Sequence, residues 1–251
     1  MTATEFSDQF DVLYNNVMSN AAPGLNEYEK SVFLTKAQDE IVKNYFNPKG
    51  NKYQEGFDGN AKRQIDFSKL ISHATVVLAA SQTSFDARAQ VGTLPTGILV
   101  VINEVVSLAS GATPKGTRQV IPITYEEYTR LMSKPYKEPL KNQAWRIITG
   151  QTTGATSVEL IINNNDMSFT KTYKLRYVRK PNPIVTANLA SAVGDGVSVD
   201  GTAVQTQCEL DPSIHQEILQ RAVELAKAAY AADQNGQLQM QDQITVGQRS
   251  E

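Results

Sequence analysis

The fold class the sequence predicts is α+β: a helical bundle formed by an N-terminal helical hairpin and a long C-terminal helix, with a β-rich inserted domain. Three features predict it. Apolar residues recur at helical spacing over the first 46 residues and again from Ile214 to Tyr230. Between about Ile71 and Val178 the pattern changes to short runs of β-branched residues separated by turn residues. The expected division is 1–46 and 207–236 as the helical part, 47–206 as a β-rich insertion and 237–251 as a flexible C-terminal tail.

The elements follow in order. Thr2 and Glu5 stand at capping-box spacing, with Phe6, Phe10, Leu13 and Val17 at helical spacing behind them. Ala21-Ala22-Pro23-Gly24 interrupts that helix. Asn26 and Glu29 repeat the cap in a weaker form, and Tyr28, Val32, Phe33, Ala37, Ile41 and Tyr45 form one face of a second helix that Asn47-Pro48-Lys49-Gly50 stops. Residues 47–65 are polar and glycine-rich, an exposed loop. Ala74–Leu78, Ile98–Ile102, Val105–Val106, Val120–Ile121 and Trp145–Ile148 read as strands. Thr124 and Glu127 cap a short helix through Tyr128, Leu131 and Met132. Ser157–Ile162 is expected to pair with Tyr173–Val178 across the turn Asn163–Asp166. Residues 184–205 read as a loop with at most a weak hairpin. Asp211 and Pro212 supply an N-cap and a first-turn proline for the last helix, which Gly236 is expected to end. The helix-packing candidates are Phe33, Ala37 and Ile41 against Ile218, Ala222 and Leu225.

Charge is unevenly spread along the chain. Residues 1–46 carry a net −4, residues 47–183 a net +8 and residues 184–251 a net −6. A nucleic-acid-binding domain is more uniformly basic on its binding face. Complementary surfaces that steer neighbouring subunits together, or simply a solvated exterior, both fit the pattern. The longest apolar run, Ile98–Ile102, is far short of the ~20 residues a membrane helix requires, so no membrane partner is expected. No basic segment followed by an apolar stretch opens the chain, so no signal peptide is expected.

Residues able to carry catalysis are scarce. There are two histidines and one cysteine. His73 reads as a strand residue or a structural hydrogen-bonder. His215, in the first turn of the last helix, reads as a surface or interface residue. Neither adjoins a G-x-S-x-G elbow. Cys208 reads as a small apolar-type side chain. No C-x-x-C, H-x-x-x-H or EF-hand pattern occurs, and Gly194, Gly196 and Gly201 do not match a dinucleotide fingerprint. No cofactor, metal or catalytic residue is expected. Lys174, Arg176, Arg179 and Lys180, interleaved with Tyr173 and Tyr177, could form a stacking platform for nucleic acid or a solvated sheet face with the tyrosines packed inward. Lys174 and Arg176 share one face by the two-residue period.

The segments LNEYEKSVFLTKAQDEIVKNYFNPKG, ITYEEYTRLMSKPYKEPLKNQAWRI, YKLRYVRKPNPIV and CELDPSIHQEILQRAVELAKAAYAAD resemble a group of virion proteins of crAss-like tailed phages, similar to head-to-tail connector or ring proteins. The resemblance spans roughly residues 25–233. It implies a structural virion protein, not an enzyme, that forms a homo-oligomeric ring of twelve copies at the phage neck. Such a ring joins the portal protein to the tail and leaves a lumen through which genome DNA passes without sequence-specific binding. The resemblance also implies assembly in the host cytoplasm. Another virion ring or tail-tube component not contacting the portal, or an enzyme with an unrecognised site, are the alternatives. Candidate contacts between subunits or rings are Lys174, Arg176, Arg179 and Lys180 on the basic strand and Gln241, Ile244 and Val246 in the tail.

Overall fold

The computed structural model describes residues 1–15, 24–46, 61–80, 86, 88–134, 138–152, 155–194 and 196–248; the side chains of 45–46, 61–63, 151–152, 164 and 232–248 lie outside the described residues. The chain divides into two compact units, one of residues 1–70 and 181–251 and the other of residues 71–180.

The second unit is a single eight-stranded sheet. Its strands are β1 (Ile71–Val77), β2 (Ala79–Ala80), β3 (Ala89–Thr93), β4 (Ile98–Ser110), β5 (Thr113–Pro122), β6 (Gln143–Thr152), β7 (Ala155–Ile162) and β8 (Thr170–Arg179). They are ordered β1-β8-β4-β5-β6-β7-β3-β2, antiparallel throughout except for the parallel pair β5 and β6. The two ends of that order, β1 and β2, follow each other in the chain with only Leu78 between them. The sheet therefore curls round as an incompletely closed barrel. Gly92 on β3 makes the close approach possible, because a Cβ there would stand 2.8 Å from Val76 Cγ1 and 2.9 Å from Leu78 Cδ2.

Strand alternation sorts the side chains between the two faces. Val76, Val106, Leu108, Val120, Val158, Leu160, Tyr173 and Leu175 fill the interior, all nearly or fully buried. Trp145, Ile147 and Ile161 point outward and are covered by Tyr128 and Leu131 of a short helix, α4, Tyr125–Met132 in the full chain order. That helix begins with the complete capping box of Thr124 and Glu127. One end of the interior is polar. Arg118 on β5 makes a bidentate pair with Asp166, at 2.7 and 3.1 Å, and both side chains are buried. Buried Lys171 donates beside it to the carbonyls of Met167 and Phe169.

This sheet corrects the expected fold class. The organising element is the curled eight-stranded sheet, not a helical bundle carrying a β-rich insertion. Strands of ten to thirteen residues, β4 the longest, outweigh what short β-branched runs suggest in the sequence. The expected pairing of Ser157–Ile162 with Tyr173–Val178 does not form. β7 lies between β6 and β3, and β8 lies between β1 and β4. The connection between β7 and β8 crosses the barrel end instead, held by the Arg118–Asp166 pair and by Asn163, which donates to the Pro139 carbonyl.

The first unit contains α1 (Ala3–Asn15), α2 (Glu27–Phe46), α3 (Ala61–Asp66), α5 (Leu189–Ala192) and α6 (Pro212–Gln248). The expected N-terminal helical hairpin does not form a bundle that organises the fold. α1 and α2 meet through a polar cluster in which buried Lys30 bonds Ser7, Asp11 and Glu27, while the closer packing of both helices is against α6. Gly236, expected to end the last helix, lies inside it; α6 continues to Gln248 through a stretch with no proline and many good helix formers.

The most informative packing in this unit is polar. Buried Ser31, Thr35 and Gln38 follow one stripe of α2 at spacings of four and three. Against them lies an extended segment, 182–186, whose alternate residues present their backbone. Gln38 donates to the Asn182 carbonyl, Thr35 accepts from the Ile184 amide and donates to its carbonyl, and Ser31 accepts from the Thr186 amide. A helix advances about 5 Å in that interval and a strand about 7 Å in two residues, close enough for the periods to match over three contacts. Thr186 extends the seam to Glu27, donating to its carboxylate at 2.6 Å.

Candidate assembly surfaces

On β8 the side chains of Tyr173, Leu175 and Tyr177 are buried while Lys174 and Arg176 are exposed. Thr75 and Val105 are the cross-strand neighbours of Lys174, and His73 and Asn103 those of Arg176. The result is an outward basic patch, with His73 and the 82 % exposed Val77 on its flank. Lys174 and Arg176 make no ion pair among the described residues. Arg179 and Lys180 do not join them on that face. They are half-buried at the strand end, where Arg179 donates to the Lys180 carbonyl and the Lys180 amide donates to Gly97. The four basic residues are thus an exposed pair and a separate, partly sequestered pair.

The two units also divide the charge. Residues 71–180 contain thirteen basic and seven acidic side chains, a net of +6. The remaining residues contain eleven basic and nineteen acidic ones, a net of −8. Each unit is therefore a body of one dominant sign, which is the arrangement heterologous contacts between identical copies can exploit.

Ala37, Ile41, Ile218 and Ala222 are buried within the helical unit. Phe33 is only partly buried and lines an apolar groove of about 270 Å³ with Tyr14, Tyr28, Val32, Ala226 and Tyr230. Leu225 is partly buried. Gln241, Ile244 and Val246 lie on the helical backbone of α6, and their side chains lie outside the described residues.

His215 and Cys208 have structural partners. His215 is buried rather than on the surface. Its Nε2 bonds the Leu210 carbonyl at 3.1 Å, its Nδ1 lies 2.7 Å from the Met1 amine, and Phe6 packs on its ring. Burial, followed by the neighbouring positive charge at Met1, lowers its pKa from the usual histidine value. The Cys208 thiol donates to Gln38, and burial pushes it up to about 11, away from thiolate chemistry. His73 is exposed on β1. No group of three or more metal-ligating side chains occurs among the described residues.

These partners set an expected response to acid. The lowered His215 pKa means that the unfolded chain binds the proton more readily, so stability falls as pH drops below about 6.5. Burial alone would raise the Glu27 and Asp86 carboxyls. Thr186, Lys30 and Ser7 around the first, and Arg88 and Tyr128 around the second, outweigh burial and hold both below their ordinary values. Their contribution is complete above the ordinary carboxylate pKa and disappears as pH falls through the lowered values. Thermal melts between pH 7 and 3 are expected to show a shallow loss beginning near pH 6.5 and a steeper one below about 4.5. A melting temperature constant from pH 7 down to pH 4 would contradict the role given to His215.

A sequence profile of the family described as Phage tail ring protein 3/4 matches residues 1–238. The chain is 57% identical over 253 residues to Ring protein 4/5 of Bacteroides phage crAss001, covering the full length of both. It is also 28% identical over 230 residues to Ring protein 3 of the same phage, covering 90% of this chain and 95% of that relative.

Proposed function

The chain belongs to the phage tail ring protein 3/4 family of crAss-like phages, and from that premise we propose that copies of it close into a structural ring at the phage neck, around a channel through which the genome passes. The observation that carries the reading is the full-length identity of 57% to a ring protein. The role is architectural rather than catalytic. Twelve copies are expected to assemble in the host cytoplasm, each meeting the next through two different surfaces. The basic 71–180 unit and the acidic remainder supply a sign difference that orients neighbours before close contact. Within the closed ring, the acidic unit is the one suited to the channel wall, because carboxylates repel the phosphates of passing DNA and keep it from sticking.

A ring in this position joins the portal to the tail. A second reading places the ring deeper in a stack, touching other rings instead of the portal. It draws support from the two relatives of one phage being named Ring protein 3 and Ring protein 4/5. Native mass measurement and negative-stain imaging of the purified protein, alone and with the portal and a neighbouring ring protein, test both readings. Closed rings of about twelve copies that stack on the portal support the first. Rings that stack only on the other ring protein support the second. A monomer that persists with both partners present contradicts the ring assignment for this chain.

A further inference from the structure

On the outer face of the sheet, at the seat of α4, lies a carboxyl group without a partner. Glu159 on β7 is 5% exposed and makes no hydrogen bond or ion pair among the described residues. Strand register sets its surroundings: Val91 of β3 lies opposite on one side and Ile147 of β6 on the other. Ile147 belongs, with Ala89, Trp145 and Ile161, to the outer apolar cluster on which Tyr128 and Leu131 of α4 pack. A group that prefers water as an anion is therefore set among apolar neighbours, where ionisation is costly without a hydrogen bond or counter-charge.

The nearby charges supply neither. On the segment leading into β3, Arg88 is committed to Asp86 at 2.7 Å and to Glu138 at 3.3 Å. That cation already faces two carboxylates, so an ionised Glu159 adds a third negative charge to the group. From α4 come Tyr125 and Tyr128. The Tyr128 hydroxyl donates its proton to Asp86, and burial followed by the Asp86 charge pushes its pKa up to about 12, so it stays neutral. Burial, followed by the Glu159 charge, raises Tyr125 as well. β3 and β6 present Val91 and Ile147 to the carboxyl, and neither titrates. Burial first, and the Asp86 charge second, hold Glu159 above the ordinary carboxylate value.

α4 is the lightly held element of this arrangement. None of its residues is fully buried, and a cavity of about 390 Å³ borders Tyr125 in its first turn together with Ile147 and Ile148 of β6. Segments with few buried apolar contacts are the ones that open first. We propose that Glu159 and α4 form a proton-linked latch: the protonated carboxyl keeps the helix seated over Trp145, Ile147 and Ile161, and loss of the proton loosens it so that water reaches the carboxylate. A carboxyl held above its ordinary value contributes stability that is complete below that ordinary value and is lost as pH rises through the raised one. The sign is opposite to that of His215, Glu27 and Asp86, which sets this group apart in a pH series.

Hydrogen–deuterium exchange of the wild-type protein, corrected for the intrinsic pH dependence of exchange, tests the latch. Amides of Tyr125–Met132 are expected to lose about fivefold or more of their protection between about pH 5 and about pH 8.5, while those of β4 and β8 keep theirs. Glu159→Gln keeps the shape and cannot ionise, so its α4 protection should stay within about twofold over the same range. Wild-type α4 protection that does not change with pH would overturn the proposal. So would a loss that persists in the Gln variant, since another group would then be responsible, or an equal loss across the whole sheet. A direct titration needs no variant: the Glu159 carboxyl carbon, followed by nuclear magnetic resonance, is expected to titrate above the ordinary glutamate value of about 4.3, and titration at or below it would overturn the latch.

Discussion

Replacing Arg118 by methionine is expected to destabilise the sheet unit by about 3–5 kcal/mol, because it leaves the Asp166 carboxylate buried without its counter-charge. Asp166 is 3% exposed and receives two hydrogen bonds from that guanidinium, at 2.7 and 3.1 Å. Lys171, a cation close enough to feel the Asp166 charge, is engaged by two carbonyls. Trp145 is the only tryptophan and packs on the outer face of this sheet, so its fluorescence during urea unfolding reports on this unit directly. The double variant Arg118→Met with Asp166→Leu should recover most of the loss, since a buried pair replaced whole by apolar groups is close to neutral. Equal instability of the single and double variants would show that the pair's geometry, rather than the uncompensated charge, holds the β7–β8 crossover.

Thr35→Val is the second large effect. The substitution keeps the side-chain shape and removes a hydroxyl that serves both the amide and the carbonyl of buried Ile184. Two backbone groups are left without partners in a buried seam, at a penalty of about 2–4 kcal/mol. Lys36, next to it on α2, is exposed, and Lys36→Ala should change stability by less than about 0.5 kcal/mol. Helical circular dichroism followed through thermal unfolding separates the two outcomes. A Thr35→Val protein that melts with the wild type would mean that segment 182–186 is held by its apolar residues alone.

Local features were legible in the sequence wherever a few neighbouring residues decide them. The caps at Thr2/Glu5, Asn26/Glu29 and Thr124/Glu127 form with both reciprocal hydrogen bonds. The alternation of Tyr173, Leu175 and Tyr177 with Lys174 and Arg176 sorts side chains between interior and exterior as a two-residue period requires. What stayed hidden depends on partners distant in sequence. Nothing around Ser157–Ile162 announces that β6 and β3, rather than the following strand, will flank it. The importance of the sheet relative to the helices was hidden for the same reason, since eight strands become one element only through such pairings. Ser31, Thr35 and Gln38 look like the wet side of a helix until an extended backbone is laid along them. The same holds for His215, whose first-turn position suggests exposure while Phe6 and Leu210 enclose it. For the assembly surfaces, the exposed half of the basic cluster was readable from periodicity.

The pairing of β1 with β8 joins Ile71 to Val178, across more than a hundred residues of intervening chain. The β1 end of the sheet order has no strand partner until β8 has left the ribosome, and the helical unit must wait longer still for α6. At translation speeds of about 5–20 residues per second, several seconds separate the first strand from its partner. During that interval β1 stands without its partner while β2 to β7 already have theirs. The last third of the chain therefore decides when the first strand of the sheet gains its partner.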